Sequence, residues 1–317
     1  MHLDIIFKAI IVKHDIRTVN LRDHGHIIYV SQVLLFPMKL IRKGKVKDVY
    51  DLADGRILFH FSDRISAFDV KMNTLIPRKG EVLCKFADYW FNILGTRHHM
   101  LALEDKDKII AKNTDIIPLE CVVRGYFYGS LLERHRNGQL RRCTLPDDFR
   151  PIMAAKLIEP IFDPTTKSEE HDIPVSENEA ISTDILSRQE FDYLKETSIS
   201  LYNKMNSIAE RAGFIIADVK FEFGRDRNNG DILLADSLGP DEYRLWRSSD
   251  YQPGKVQESY DKQLLRDWLI KIGFKDKIDE LRHQGQKPDP PDIPAELVSE
   301  LTRRYVFAYE RITGRKL

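Results

Sequence analysis

The chain has 317 residues, 42% of them hydrophobic and 31% charged, with 49 basic side chains against 49 acidic ones. A globular chain of that size buries a substantial core in one large or two smaller domains. Its balanced charge offers no general field for nucleic acid or an anionic membrane surface. The three cysteines, Cys84, Cys121 and Cys143, are widely spaced and form neither a disulfide framework nor a zinc spacing, so a reducing cytoplasm is expected. No apolar run reaches the roughly 20 residues that span a bilayer.

Residues 1–37 mix Ile-rich stretches with Lys8, Lys13 and Asp15 and lack a signal-peptide core or cleavage site. Residues 38–44 read like the natural start of a first strand, so 1–37 are expected to form an extension outside the core. Residues 45–52 and 56–62 are β-type runs around Asp54-Gly55, a hairpin signal. Lys45 and Lys47, two apart, can point to one face, and Gly44 lets the backbone approach a ligand; edge-strand lysines are the commoner reason for such a pair. Residues 62–69, with Asp63, Arg64, Ser66 and Asp69, suit a binding loop or an ordinary capped turn. Residues 80–94 carry Val82, Leu83, Phe86, Tyr89, Trp90, Ile93 and Leu94 at helical spacing and predict a core helix.

Residues 118–125 predict a strand, and a short helix opens at Gly129-Ser130. A helix N-terminus with a serine hydroxyl suits an anion, and Arg124 offers a bidentate fork; a simple Ser cap beside a surface arginine explains the same residues. Residues 161–172 show neither helix nor strand period and read as a flap or a plain excursion, in which His171 alone is no metal site. Ser187-Arg188-Gln189-Glu190 is a capping box opening a long helix with Phe191, Leu194, Leu201, Met205, Ile208 and Ala212 inward and Gly213 at its end. Further helices are predicted over 259–272, closed by Gly273, and over 294–313, closed by Gly314, with a Pro-rich connector over 287–294. Strands and helices are mixed without regular βαβ alternation.

Between the helix closed by Gly213 and the helix predicted over 259–272 lies the densest chemistry. In residues 217–224, Asp218, Lys220 and Glu222 alternate with Val219, Phe221 and Phe223, so a strand would be charged on one face and apolar on the other. Asn229-Gly230 signals a hairpin, and residues 232–236 run back. A turn centred near Asn229 sets Glu222 against Asp236. Like charges so placed repel, and a cation between them reverses the sign. Two oxygen ligands without Cys or His suit Mg²⁺ beside a nucleotide phosphate; a solvated strand face is the alternative.

Seven segments taken in order resemble the SAICAR synthetase (phosphoribosylaminoimidazole-succinocarboxamide synthase) family of purine biosynthesis: 44–50, 63–69, 76–80, 120–126, Gly129-Ser130, 218–224 and 236–246. The resemblance runs from about Met38 to the C-terminus. It implies an α+β fold of two lobes: a small antiparallel-sheet, nucleotide-binding lobe over 38–117 that resembles a kinase N-lobe, and a larger ATP-grasp-like lobe over 118–317 that binds substrate and metal, with C-terminal helices packing across both. It implies ATP-dependent ligation of L-aspartate to carboxyaminoimidazole ribotide, with Mg²⁺ and through an acyl phosphate.

By the same resemblance, Gly44, Lys45 and Lys47 cover the ATP phosphates, and the backbone of Glu120 and Val122 meets adenine. Glu222 and Asp236 hold magnesium. Arg124, Ser130 and Arg244 grip the ribotide phosphate. Asp218 and Lys220 act at the imidazole or ribose, and Asp241 also meets the ribotide. Asp63, Arg64, Ser66, Lys167, His171 and Asp172 hold aspartate or close the site. A small-molecule kinase or a nucleotide sensor would use the same glycine-lysine hairpin and carboxylate pair, but would not need aspartate.

Overall fold

Strands that in several cases alternate apolar and polar residues build two main antiparallel sheets, one of five strands and one of six. The structure is a computed structural model that describes residues 22–23, 26–27, 38–140, 145, 149–167, 173–183, 185–286 and 288–317. Of the expected N-terminal extension, only the two-residue strands β1 (Arg22–Asp23) and β2 (His26–Ile27), paired with each other, fall among them. Cys143, His171 and Asp172 lie outside the described residues.

The first sheet contains β3 (Lys39–Lys43), β4 (Lys47–Asp51), β5 (Arg56–Phe61), β8 (Met100–Asp105) and β9 (Lys108–Lys112), in the order β3-β4-β5-β9-β8. The hairpin β6 (Arg64–Ala67) and β7 (Val70–Leu75) and helix α1 (Lys79–Ile93) separate β5 from β8. The predicted helix over 80–94 is therefore present, and Val82, Phe86, Trp90 and Phe91 on it are buried.

Asn113 alone joins β9 to β10 (Thr114–Tyr126), the long strand at the centre of the second sheet. There the order is β11-β10-β13-β14, from β11 (Lys156–Phe162), β13 (Phe214–Asp226) and β14 (Ile232–Ala235). Strand β12 (Thr165–Thr166) also pairs with β10, and β15 (Tyr243–Arg247) with β13. Residues 161–172 are thus not wholly irregular. Phe162 closes β11 and Thr165–Thr166 form β12, because β10 offers backbone groups on that side: the Asp163 N–H donates to the Val122 carbonyl at 2.8 Å.

The helices are α2 (Ser130–Arg136), α3 (Glu177–Ser182), α4 (Arg188–Arg211), α5 (Gln263–Lys271), α6 (Phe274–His283) and α7 (Ala295–Thr313). The Ser187 capping box forms as predicted: the Ser187 hydroxyl accepts from Glu190 N–H and the Glu190 carboxylate accepts from Ser187 N–H. Helix α5 starts later than position 259, because Asp261 turns inward and accepts both Leu245 N–H and Gln263 N–H at 2.6 Å. Helix α6 lies outside the elements predicted from the sequence pattern.

One apolar core runs from Val49 and Phe59 in the first sheet through Phe86 and Trp90 to Phe221 on β13 and Tyr305 and Tyr309 on α7. The Phe86 and Tyr309 rings meet edge to face at 5.2 Å, which locks α7 onto α1. Burial pushes the thiols of Cys84 and Cys121 up, out of reach of thiolate chemistry. No helix among the described residues is long and apolar enough to cross a membrane.

Candidate active site

Strand alternation produces the site. On β13, Val219, Phe221 and Phe223 are buried on the side packed under α4. On β10, Cys121 and Val123 stand directly opposite Phe221 and Val219 and share that face. The other face carries Asp218, Lys220 and Glu222, opposite Arg124, Val122 and Glu120. The charges do not form a solvated strand face, because Glu120, Arg124, Asp218 and Glu222 are between 4% and 7% exposed. Burying that many charges is costly unless each is paired.

At one end of this face, Arg124, Asp218 and Arg244 stand in a row across β10, β13 and β15. Asp218 Oδ2 accepts from Arg244 Nη1 at 2.5 Å and from Arg124 Nη1 at 3.3 Å. Arg124 also donates to Asp163 Oδ2 at 2.5 Å and to Ser130 Oγ at 2.9 Å, and Arg134 shares Asp163. Three guanidiniums thus face two carboxylates. The end of the row is left net positive beside the N-terminus of α2, as an anion requires. Gly129 makes the approach possible. Its φ is +59°, and a Cβ there would lie 2.6 Å from an Arg244 guanidinium nitrogen. Arg124, Ser130, Asp218 and Arg244 of the expected site therefore meet, joined by Asp163 and Arg134. The latter two gave no signal beyond a polar loop and a helical arginine.

At the other end, Lys220 bridges Glu120 at 2.7 Å and Glu222 at 3.0 Å, and Lys167 pairs with Glu222. From the first sheet, Lys47 reaches Asp236 at 2.7 Å and Ser237 Oγ at 2.8 Å, with its ammonium 5.1 Å from the centre of the Phe59 ring. Three lysines balance three carboxylates. Burial and the Asp236 charge push the Glu222 carboxyl up, but Lys220 and Lys167 outweigh them and hold it below the usual glutamate range. Burial likewise opposes ionisation of Asp236, and Lys47 and Lys167 overcome it. Burial lowers the basicity of the Lys220 amine, yet Glu222 and Glu120 more than reverse this, so Lys220 stays charged and is no proton acceptor at neutral pH.

The hairpin register differs from expectation. Glu222 stands opposite Ala235, not Asp236. The loop is not a two-residue Asn-Gly turn. Asp226 and Asp231 close it by a backbone bond of 2.8 Å, and the carboxylate of Asp226 and the amide oxygen of Asn229 accept the N–H groups of Asn228 and Asp231. Strict alternation would then send Asp236 to the face away from Glu222. Asp236 instead follows the end of β14 with φ +61°, leaving the extended region. The two carboxylates still repel each other, and Lys167 and Lys220 act on both.

Several expected ligand residues are committed to the framework. Gly44 N–H donates to Lys47 O at 2.9 Å, and a Cβ on Gly44 would lie 2.5 Å from that oxygen, so this glycine serves its own turn. Lys45 does not share a face with Lys47: it precedes β4, is half exposed and pairs with Asp69 at 2.6 Å. Arg64 grips Asp48 at 2.5 Å and donates to Gly44 O at 3.2 Å, bracing the turn. Asp63 accepts Gly80 N–H at 3.0 Å at the start of α1, and Ser66 is buried in β6. The backbone of Glu120 and Val122 has sheet partners on this strand. Glu120 lies in register between Thr165 and Glu222, and the Val122 carbonyl is taken by Asp163.

Asp241 is enclosed, accepting from Lys79 at 2.7 Å and from Tyr305 O–H at 2.8 Å, with Lys79 fully buried. Burial opposes its charge, but Lys79 holds its pKa far below the ordinary value. Through these two contacts it ties α1 to α7. Asp241→Asn is expected to lower stability by about 3–5 kcal/mol, the cost of stranding one partner of a buried pair. Denaturant unfolding checks this, and the variant's KM for each substrate is expected to stay within about threefold where the protein is folded. A selective rise in the KM for one substrate would return Asp241 to the site.

The fold is α+β, built on two main antiparallel sheets, and its buried two-ended charged face has the chemistry of an enzyme site for multiply anionic ligands. The SAICAR synthetase family model matches residues 40–281. A phosphoribosylaminoimidazole-succinocarboxamide synthase of Nitrosopumilus maritimus is 51% identical over 280 residues, covering 88% of this chain and all of that protein. Among solved structures, SAICAR synthase from Saccharomyces cerevisiae complexed with SAICAR superposes with a TM-score of 0.73 at 32% identity, covering 88% of this chain and 96% of that one. A type-2 SAICAR synthetase in complex with ADP gives 0.66 at 27% identity, covering 87% and 98%. The chain belongs to the SAICAR synthetase family. It is accordingly an ATP-dependent carboxylate–amine ligase of purine biosynthesis, joining L-aspartate to carboxyaminoimidazole ribotide to give SAICAR.

Proposed function

We propose that the ribotide lies along the charged face of β10 and β13, its phosphate at the Arg124–Ser130–Arg244 end and its reacting carboxylate at the Lys220–Glu222 end. Asp218 and Glu222 are four residues apart, about 13 Å at a strand rise of ~3.3 Å. That span accommodates a ribose and an imidazole between phosphate and carboxylate. The observation that carries the reading is the burial of this face: Arg124 at 4%, Asp218 at 5% and Glu222 at 6% exposure are charges kept inside the protein in a line, not displayed to solvent.

ATP is assigned to the junction of residues 38–117 with 118–317, the former acting as a small nucleotide lobe like a kinase N-lobe and the latter as an ATP-grasp-like lobe. Lys47 is the residue of the first sheet that reaches the acidic end, and it can follow a phosphate oxygen as readily as Asp236. Glu222 and Asp236 are the carboxylates for magnesium. They fit it: both are held ionised, they repel one another, and an ion that keeps waters and meets phosphate needs only one or two protein carboxylates. Magnesium when bound would supply charge neutralisation for the transferring phosphoryl group.

The ribotide carboxylate attacks the γ-phosphorus, ADP leaves, and an acyl phosphate forms. The aspartate amine then attacks the acyl carbon and phosphate departs. Lys220, charged and anchored by two glutamates, orients and neutralises the reacting carboxylate, and Asp218 fixes both arginines that grip the far end. Lys167, on the residue run leading to His171 and Asp172, is the cation offered to aspartate.

Phosphate release is measured with ribotide alone, aspartate alone and both. Release that depends strongly on both, with amide formed, is expected. Release independent of aspartate would favour a kinase, and nucleotide binding without turnover a sensor. Transfer of ¹⁸O from the ribotide carboxylate into the released phosphate is the accompanying mark of the acyl phosphate.

A further inference from the structure

The Glu222–Ala235 register leaves a problem for the metal-binding face that one histidine answers. Alternation along β14 would carry Asp236 to the opposite side from Glu222. The residue escapes that fate because it adopts φ +61°, a left-handed conformation that aspartate tolerates better than most residues but that a backbone contact still has to select over the extended one. Its carboxylate is held by Lys47, but a side-chain contact does not by itself set the backbone. The backbone contact comes from His99, whose Nε2 lies 3.1 Å from the Asp236 carbonyl. A carbonyl oxygen only accepts, so Nε2 carries the proton and donates it.

His99 is itself immobilised from both sheets. Its N–H donates to Leu234 O at 3.0 Å, and its carbonyl accepts Lys112 N–H at 2.8 Å from β9. Leu234 N–H in turn donates to Arg97 O at 2.9 Å, so residues 97–99 run beside β14 as a short parallel strand, with His98 bridged to Leu234. The ring sits against Phe59 at 5.5 Å and Phe91 at 5.6 Å between centroids and is 1% exposed. Its Nδ1 is buried without a hydrogen-bond partner, which leaves the Asp236 carbonyl as the ring's polar contact among the described residues. A buried imidazole with one nitrogen left unpaired is an expensive way to fill apolar space. The cost is understandable if the other nitrogen does something a leucine could not.

We propose that His99 is a positioning residue: its Nε2–H, donated to the Asp236 carbonyl, holds Asp236 in the left-handed conformation that turns its carboxylate toward Glu222. His99 touches neither substrate nor metal and acts through Asp236. The inference rests on the assignment of Asp236 to magnesium, and its test separates the two.

The Mn²⁺ affinity of the full chain in the presence of ADP is measured by electron paramagnetic resonance for the wild type, Asp236→Asn, His99→Leu and His99→Gln. Leucine removes the donor at similar bulk, and glutamine restores an N–H at similar reach. Loss of a residue that orients a metal ligand typically weakens binding 10–100-fold, so a fall of about that size is expected for His99→Leu, with recovery to within about threefold of wild type in His99→Gln. Equal affinities of the Leu and Gln variants, or an unchanged affinity in His99→Leu while Asp236→Asn loses the ion, would overturn the positioning role and leave the metal assignment standing. An unchanged affinity in Asp236→Asn would overturn the metal assignment itself. The wild-type chain supplies an independent reading that survives a misfolded variant. Long-range ¹H–¹⁵N spectra are expected to show a slowly exchanging proton on His99 Nε2 and none on Nδ1, and the opposite tautomer would refute the proposal outright.

Discussion

Glu222→Gln and Asp236→Asn are each expected to reduce magnesium-dependent turnover by at least 10²–10³-fold, the scale of losing one preorganised electrostatic contact in an active site, while the protein stays folded. The expectation follows from how the charges are balanced. Lys47, Lys167 and Lys220 offset Glu120, Glu222 and Asp236, and each substitution removes one negative charge without changing shape. The lysines then lack a full complement of counter-charge, and a divalent cation meets net positive surroundings. Asparagine tolerates the left-handed backbone of position 236 at least as well as aspartate, so Asp236→Asn tests the charge and not the turn. Because the Glu222 carboxyl is held below its ordinary pKa, its stabilising interaction is fully present above the usual glutamate range and is lost as pH falls through that depressed value. The Glu222→Gln variant is therefore expected to differ from wild type in melting temperature at pH 7 and to converge with it under acid conditions. Steady-state rates over a magnesium titration, with circular dichroism alongside, check the pair. Near-normal turnover in both folded variants would remove magnesium from these residues.

The parts of the fold that depend on local pattern were readable in advance. The alternation from Asp218 to Phe223, the Ser187 capping box and the apolar stripe of α1 each follow from residues within a few positions of one another. What the linear pattern does not determine depends on register or on competition for a polar group. The hairpin slipped by one residue because the side chains of Asp226 and Asn229 close a longer loop than Asn229-Gly230 alone would. Asp63, Arg64 and Asp241 have the composition of ligand-binding residues, yet a framework partner reaches each first: Gly80 N–H, Asp48, and Lys79 with Tyr305. Nothing in a linear string tells a carboxylate that caps a helix from one that waits for substrate. The same limit hid Asp163, which joins the arginine row only because β10 and β11 pair, and His99, whose role appears only once the conformation of Asp236 is known. Burial made the decisive contribution at the site itself, since the pattern of Asp218, Lys220 and Glu222 fits a solvated edge as well as a cleft.

Arg124→Ala is expected to raise the KM for the ribotide by about 30–150-fold, the equivalent of about 2–3 kcal/mol for a lost charge-assisted contact, with the KM for ATP changed little. Arg124 spends its guanidinium on three partners, Asp163, Asp218 and Ser130. Stranding a buried carboxylate would ordinarily cost about 3–5 kcal/mol of stability. Here the loss is expected to be smaller, since Arg134 remains on Asp163 and Arg244 on Asp218. The contrast between a modest drop in melting temperature and a large rise in one KM is what distinguishes a phosphate grip from a structural clamp. Arg124→Lys sharpens it. A lysine retains the charge but cannot present the planar fork that meets an acid, a serine and a phosphate together, so its KM is expected to fall between alanine and wild type. A ribotide lacking the 5′-phosphate supplies the last control, since the Arg124→Ala penalty should shrink toward unity with that substrate. A penalty that persists undiminished would mean that Arg124 holds the sheet together and that the phosphate is bound elsewhere.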